Sequence, residues 1–164
     1  MEKNRSRWAA LVCGVWAGVL LGIALVGTPA GFALVPADVA GKIAGRMLTR
    51  EAWLSIALCV LLFPWVRRQA RAAAASAGGS VLSANVLLVL AALFCTVFGH
   101  FGVRSAMDAA RAGQGYWSFG TLHAVSVGVF GIKTLVVLAL AWRFSAPAME
   151  GGAAPDAISP SPSS

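Results

Sequence analysis

Leu122-His-Ala-Val-Ser-Val-Gly-Val-Phe-Gly-Ile-Lys-Thr-Leu-Val-Val-Leu-Ala-Leu-Ala-Trp142 is 21 residues long and carries one formal charge, on Lys133. A helix of that length rises about 31 Å, close to the thickness of the hydrocarbon core of a bilayer. Ordinary globular helices are shorter and show a polar face, which this stretch lacks. It reads as a membrane span.

Three further segments join it. The first runs from Trp8 to about Val26 and continues past Pro29 to Val35. The second, Ala52 to Val66, has only 15 residues on a strict apolar count. It reaches spanning length if Met47 and Leu48 enter the membrane while Arg50 and Glu51 sit at its surface. The third runs from Val81 to Val103. The spans are thus about 8–35, 47–66, 81–103 and 122–142. We expect an all-α membrane protein: residues 1–144 form a compact bundle of four transmembrane helices, and residues 145–164, rich in Pro, Ser, Gly and Ala, form a disordered tail.

Bulk composition agrees. The 164 residues are 59% hydrophobic and 12% charged, against about 25% charged in an average domain. The mean hydropathy is +0.78. These values exclude a soluble domain and a disordered chain. Cys13, Cys59 and Cys95 lie inside apolar runs with no C-x-x-C pair, so neither a disulfide framework nor a zinc site is indicated. The net charge of +7 would suggest nucleic acid for a soluble domain, but here the basic residues lie mostly between spans, where they meet lipid headgroups. The expected partner is the bilayer, with no nucleic acid. The first apolar run, 19 residues after Lys3, Arg5 and Arg7, exceeds a signal-peptide core and reads as a retained helix.

Tryptophan and arginine set the frame. Trp8, Trp53, Trp65, Trp117 and Trp142 fall near span ends, where indole prefers the headgroup level; Trp16 alone lies well inside a span. With the N-terminus inside, seven Lys and Arg face the cytoplasm (Lys3, Arg5, Arg7, Arg67, Arg68, Arg71, Arg143) and five face out (Lys42, Arg46, Arg50, Arg104, Arg111). That small bias places both termini in the cytoplasm of a bacterial inner membrane and leaves the opposite orientation open. Asp38 to Arg50 reads as an amphipathic interfacial helix between spans 1 and 2 that runs into the second span, since Lys42, Arg46 and Arg50 recur every fourth residue. Arg67 to Ser80 reads as a linker with an Ala/Gly/Ser tract.

Few residues carry chemistry. Lys133 sits near mid-span, too deep for its stem to reach the interface fully, at a cost of about 2.5–3.5 kcal/mol. No acidic residue is expected within a span to pair with it; Asn85, Thr96, Ser126, Thr134 and carbonyls freed by prolines are the candidate partners. His100 and His123 close one span and open the next, at similar depth, and two imidazoles on facing helices could hold haem or a metal. No third ligand is evident, and a hydrogen-bonded histidine is the commoner reading, so no cofactor or metal is expected. Arg104, Asp108 and Arg111 follow at helical spacing, each pair worth about 0.2–0.5 kcal/mol. They form either a solvated charged face or a polar cluster with the histidines. Pro29 and Pro64 break the ladder, as surface kinks or as part of a cavity lining. Gly14, Gly18 and Gly22 line one helix face and mark close helix packing. A partner within the bundle is expected ahead of one in another subunit.

The stretches Gly27-Thr-Pro-Ala-Gly-Phe-Ala-Leu-Val-Pro36, Ala40-Gly-Lys-Ile-Ala-Gly-Arg46, Phe101-Gly-Val-Arg-Ser-Ala-Met-Asp108 and Leu122-His-Ala-Val-Ser126 together resemble the bacterial membrane proteins grouped as domain of unknown function 4149, similar to transmembrane protein 205 of eukaryotes. The resemblance covers about Gly27 to Arg143, with matching positions at Pro29, Phe32, Gly41, Gly45, Arg104 and His123. It implies a compact four-helix membrane fold and no settled activity.

The sequence contains no recognisable nucleophile–base pair, phosphate loop or paired catalytic carboxylates, so an enzyme is not expected. The leading expectation is a non-catalytic protein that packs with a membrane partner or with itself. A small solute or ion transport-related protein using Lys133 comes second, and a haem or metal carrier third.

Overall fold

In a computed structural model of the chain, residues 2–77 and 80–146 are described. The element order is α1 (Glu2–Gly22), a π-helical turn (Ile23–Gly27), α2 (Thr28–Leu34), α3 (Ala37–Ala77), α4 (Ala84–Val97), a second π-helical turn (Phe98–Val103), α5 (Arg104–Arg111) and α6 (Phe119–Ser145). No strand occurs among the described residues. Four continuous helical stretches, Ser6–Leu34, Ala37–Ser76, Ala84–Arg111 and Phe119–Ser145, are long and apolar enough to cross a membrane.

Local chemistry explains the breaks. Pro29 has no N–H to give the turn before it. There the ladder widens, and Thr28 donates to Ile23 O, five residues back. The Ser83 hydroxyl caps α4 by accepting from Val86 N–H at 3.4 Å, and Ser118 caps α6 by accepting from Thr121 N–H at 3.2 Å. Between α5 and α6 the chain turns through Gly113 (φ 71°) and Gly115 (φ 137°), conformations that glycine adopts without strain.

The amphipathic stretch Asp38–Arg50 runs into the second span, as its sequence leads one to expect. The two are continuous in the 41-residue α3, about 62 Å long and twice the hydrocarbon thickness. The alanine tract expected to be a linker also belongs to α3 as far as Ala77, because alanine is the strongest helix former and nothing before Gly78 interrupts it. Most of the expected disordered tail, residues 147–164, lies outside the described residues.

The core is one apolar column. Trp16 and Leu20 from α1, Cys59 and Val66 from α3, Val89 and Ala92 from α4, and Val137 and Leu140 from α6 are all buried. Each set recurs at helical spacing, which puts one face of each helix on the axis. α1 packs along α6, α6 along α4, and α4 along α3, while α1 and α3 meet only briefly. The backbones of α3 and α6 nowhere approach within 8 Å among the described residues. They stand diagonally across the bundle.

The glycine stripe takes the opposite side. Gly14, Gly18 and Gly22 are exposed, and a methyl group added at any of them would meet nothing within 4 Å. The expected partner within the bundle is therefore absent for this face. The buried face of α1 is formed by Ala9, Cys13, Trp16, Ala17 and Leu20, whose larger side chains fill the core.

Candidate functional site

Across that diagonal lies a buried polar network. Lys133 on α6 is 4% exposed and Glu51 on α3 also 4%. Lys133 Nζ donates to Glu51 Oε2 at 2.6 Å. The other carboxylate oxygen, Oε1, accepts from the Ser55 hydroxyl one turn further along α3. Ser55 Oγ in turn accepts from Trp16 Nε1 on α1 at 2.9 Å. The ammonium also lies 4.9 Å from the centre of the Phe130 ring, a cation–π contact. The chain of bonds thus runs from α1 through α3 to α6.

Its depth follows from helix geometry. Trp65 of α3 and Phe144 of α6 pack edge to face, centroids 5.1 Å apart, which marks a common level near one end of the bundle. Glu51 is 14 residues from that level and Lys133 is 11, about 21 Å and 17 Å by helical rise. With that level at one face of a hydrocarbon core about 30 Å thick, the pair would lie inside the core. Water cannot satisfy a group there, so protein partners must. Among the described residues, every buried side-chain nitrogen and oxygen has one.

This site overturns the expectation that no acidic residue within a span could meet Lys133, and that Glu51 lies at the surface. Ser55, Cys59, Leu62 and Val66 form the buried stripe of α3; stepping back one turn from Ser55 arrives at Glu51, not at Arg50. Counting apolar residues puts both charges at the interface. Periodicity separates them: Arg50 is exposed and Glu51 is buried. Trp16 carried a second signal, since an indole away from the headgroup level needs a partner for its N–H.

Arg104 is also placed differently from expectation. It does not pair with Asp108. Its Nη1 donates to Gly45 O on α3 at 2.9 Å and to Thr49 Oγ1, while Thr49 donates to the same carbonyl at 2.8 Å. Asp108 pairs instead with Arg111 at 3.2 Å, both exposed, and Arg111 lies 4.6 Å from the Phe119 ring centre.

The two histidines do not converge. Gly99 packs against Val129, where an added Cβ would lie 3.4 Å from Val129 Cγ1. His123 is six residues from Val129, about 9 Å along α6, so the imidazoles differ in depth. His100 packs on Phe101 with centroids 4.8 Å apart, and His123 stacks on Phe119 at 6.0 Å. No group of three or more His, Cys, Asp or Glu side chains able to hold a metal occurs among the described residues. His100, Arg104, Asp108, His123 and Lys133 therefore do not form one cluster; only Lys133 reaches the central network.

Fold and site together define an all-helical, multi-pass membrane protein with an ion pair inside its bundle. The model of the family described as a domain of unknown function, DUF4149, matches residues 11–115, and the chain belongs to that family. The match includes Trp16, Glu51, Ser55 and Arg104 and ends before His123 and Lys133; it begins earlier and stops earlier than the resemblance read from short motifs. No curated protein and no solved structure matches the chain.

Proposed function

We propose that this is a non-catalytic inner-membrane protein with a proton-coupled, transport-related role, in which Glu51 and Lys133 form the switch. The observation that supports this reading is the buried pair itself. Exchanging a buried ion pair for well-packed apolar residues is often neutral or stabilising, so holding the bundle together does not require these charges. Ionisable groups at such depth mark ion pathways by default. The pair ties α3 to α6 across the diagonal, where no backbone contact does so. Proton arrival at Glu51 removes the attraction and releases that tie. The orientation that goes with this reading has both termini in the cytoplasm, and Arg67, Arg68, Arg71 and Arg143 at that surface. Kinship with transmembrane protein 205-like proteins belongs to the same reading and rests on the motifs around Pro29, Gly41, Gly45 and Arg104.

The test is an imposed pH gradient across liposomes containing a trapped pH-sensitive dye. Wild-type protein is expected to dissipate the gradient several-fold faster than empty liposomes, and Glu51→Gln to return the rate to that of empty liposomes. Equal rates for wild-type and empty liposomes would refute proton coupling.

A second reading, a packing protein that binds a membrane partner or a second copy of itself, is favoured by the open glycine stripe. Small residues let helices approach closely in lipid. Gly18→Leu should leave the stability of the monomer unchanged but abolish cross-linking between copies. If Gly18→Leu cross-links as wild type does, the stripe is lipid-facing only.

A further inference from the structure

We propose that the groove between α1 and the first half of α3 binds one anionic phospholipid, with its acyl chain in the groove and its phosphate on Arg46 and Arg50. The groove has a volume of about 270 Å³ and is lined by Val19, Ile23, Met47, Arg50, Glu51 and Leu54. Its lining follows the two antiparallel segments: Val19 lies one turn back from Ile23, and Leu54 one turn on from Arg50 along α3, both toward the centre of the bundle. An acyl chain descending from the surface would run along those segments.

The charge fits the same occupant. Lys42, Arg46 and Arg50 recur every fourth residue of α3 and all are exposed. Lys42 has Asp38 at 3.7 Å; Arg46 and Arg50 face no carboxylate within ion-pair distance among the described residues. Arg50 lines the apolar groove and Arg46 precedes it by one turn of α3; guanidinium groups so placed suit a phosphate joined to a hydrocarbon chain. Glu51 forms the inner wall but does not repel such a ligand, because both its oxygens are already bonded. The π-helical turn that begins at Ile23 helps to shape the groove: at its end Met47 lies over Gly27, where a Cβ would come within 2.7 Å of its methyl carbon.

Native mass spectrometry of the detergent-purified protein tests it, with phosphatidylglycerol or phosphatidylcholine of identical acyl chains as the probe. Phosphatidylglycerol adducts should survive at roughly ten times the level of phosphatidylcholine adducts, a preference of the size that two phosphate contacts can supply. Arg46→Gln with Arg50→Gln should erase that preference. Val19→Trp, which fills the groove and leaves the arginines intact, should remove most of the bound lipid; Leu54→Trp, at a partly exposed position, does the same if the first variant folds poorly. Inorganic phosphate should not displace the adduct. Equal retention of the two lipids would overturn the proposal. So would wild-type retention in folded groove-filling variants, which would show headgroup attraction alone, or displacement by inorganic phosphate, which would show an anion site without a chain.

Discussion

Glu51→Leu alone is expected to destabilise the bundle by about 3–5 kcal/mol, and adding Lys133→Leu is expected to recover most of that loss. The single change leaves a buried ammonium with only the Phe130 ring beside it. It also removes the acceptor of the Ser55 hydroxyl. The double change leaves no charge to satisfy and adds two apolar side chains at the centre of an apolar column. Ser55 retains Trp16 Nε1 as its donor. Denaturant or thermal unfolding in mild detergent, read by tryptophan fluorescence, provides the measurement. If the double variant is no more stable than the single one, the two side chains do not act as a pair. If it is as stable as wild type and loses gradient dissipation, the charges are present for function. Lys133→Leu alone does not separate these cases, because it strands Glu51.

The second large effect is expected at Arg104. Arg104→Ala should lower stability by about 1.5–3 kcal/mol, the range for hydrogen bonds to a charged group. One guanidinium nitrogen bonds both Gly45 O and Thr49 Oγ1, and thereby fixes the end of the third span to α3. Arg104→Lys should recover only part of the loss, since a flexible ammonium does not reproduce the planar fork. Asp108→Ala, at an exposed pair, should change stability by less than about 0.5 kcal/mol. Unfolding measured for the three variants side by side gives the comparison. Equal losses for Arg104→Ala and Asp108→Ala would contradict the contact to α3.

The four spans were legible because membrane helices must satisfy their backbones internally and show lipid an apolar surface, which leaves long uninterrupted runs. Lys133 was legible for the same reason, as the one charge in such a run. Its partner was not. Glu51 stands next to Arg50 at the edge of a short apolar run, and a window average gives the two the same place. Only the register of Ser55, Cys59 and Leu62 distinguishes the residue that turns inward. The expected role of Arg104 failed for a different reason. Spacing identifies which groups can meet along one helix, but Arg104 bonds a backbone carbonyl on another, and carbonyls leave no trace in a sequence. The glycine stripe was correctly seen as a face, yet spacing could not say which way it points. The neighbouring Trp16 and Cys13 occupy the inside of α1 and turn it outward.

Solid-state NMR of the protein in lipid, labelled with ¹⁵N at lysine side chains and ¹³C at glutamate carboxyls, tests the central ion pair most directly. With the ammonium 2.6 Å from the carboxylate oxygen, a strong through-space signal should link Lys133 Nζ to Glu51 Cδ, and Glu51→Gln should remove it. A Lys133 Nζ that shows contact with water and no glutamate signal would contradict the account.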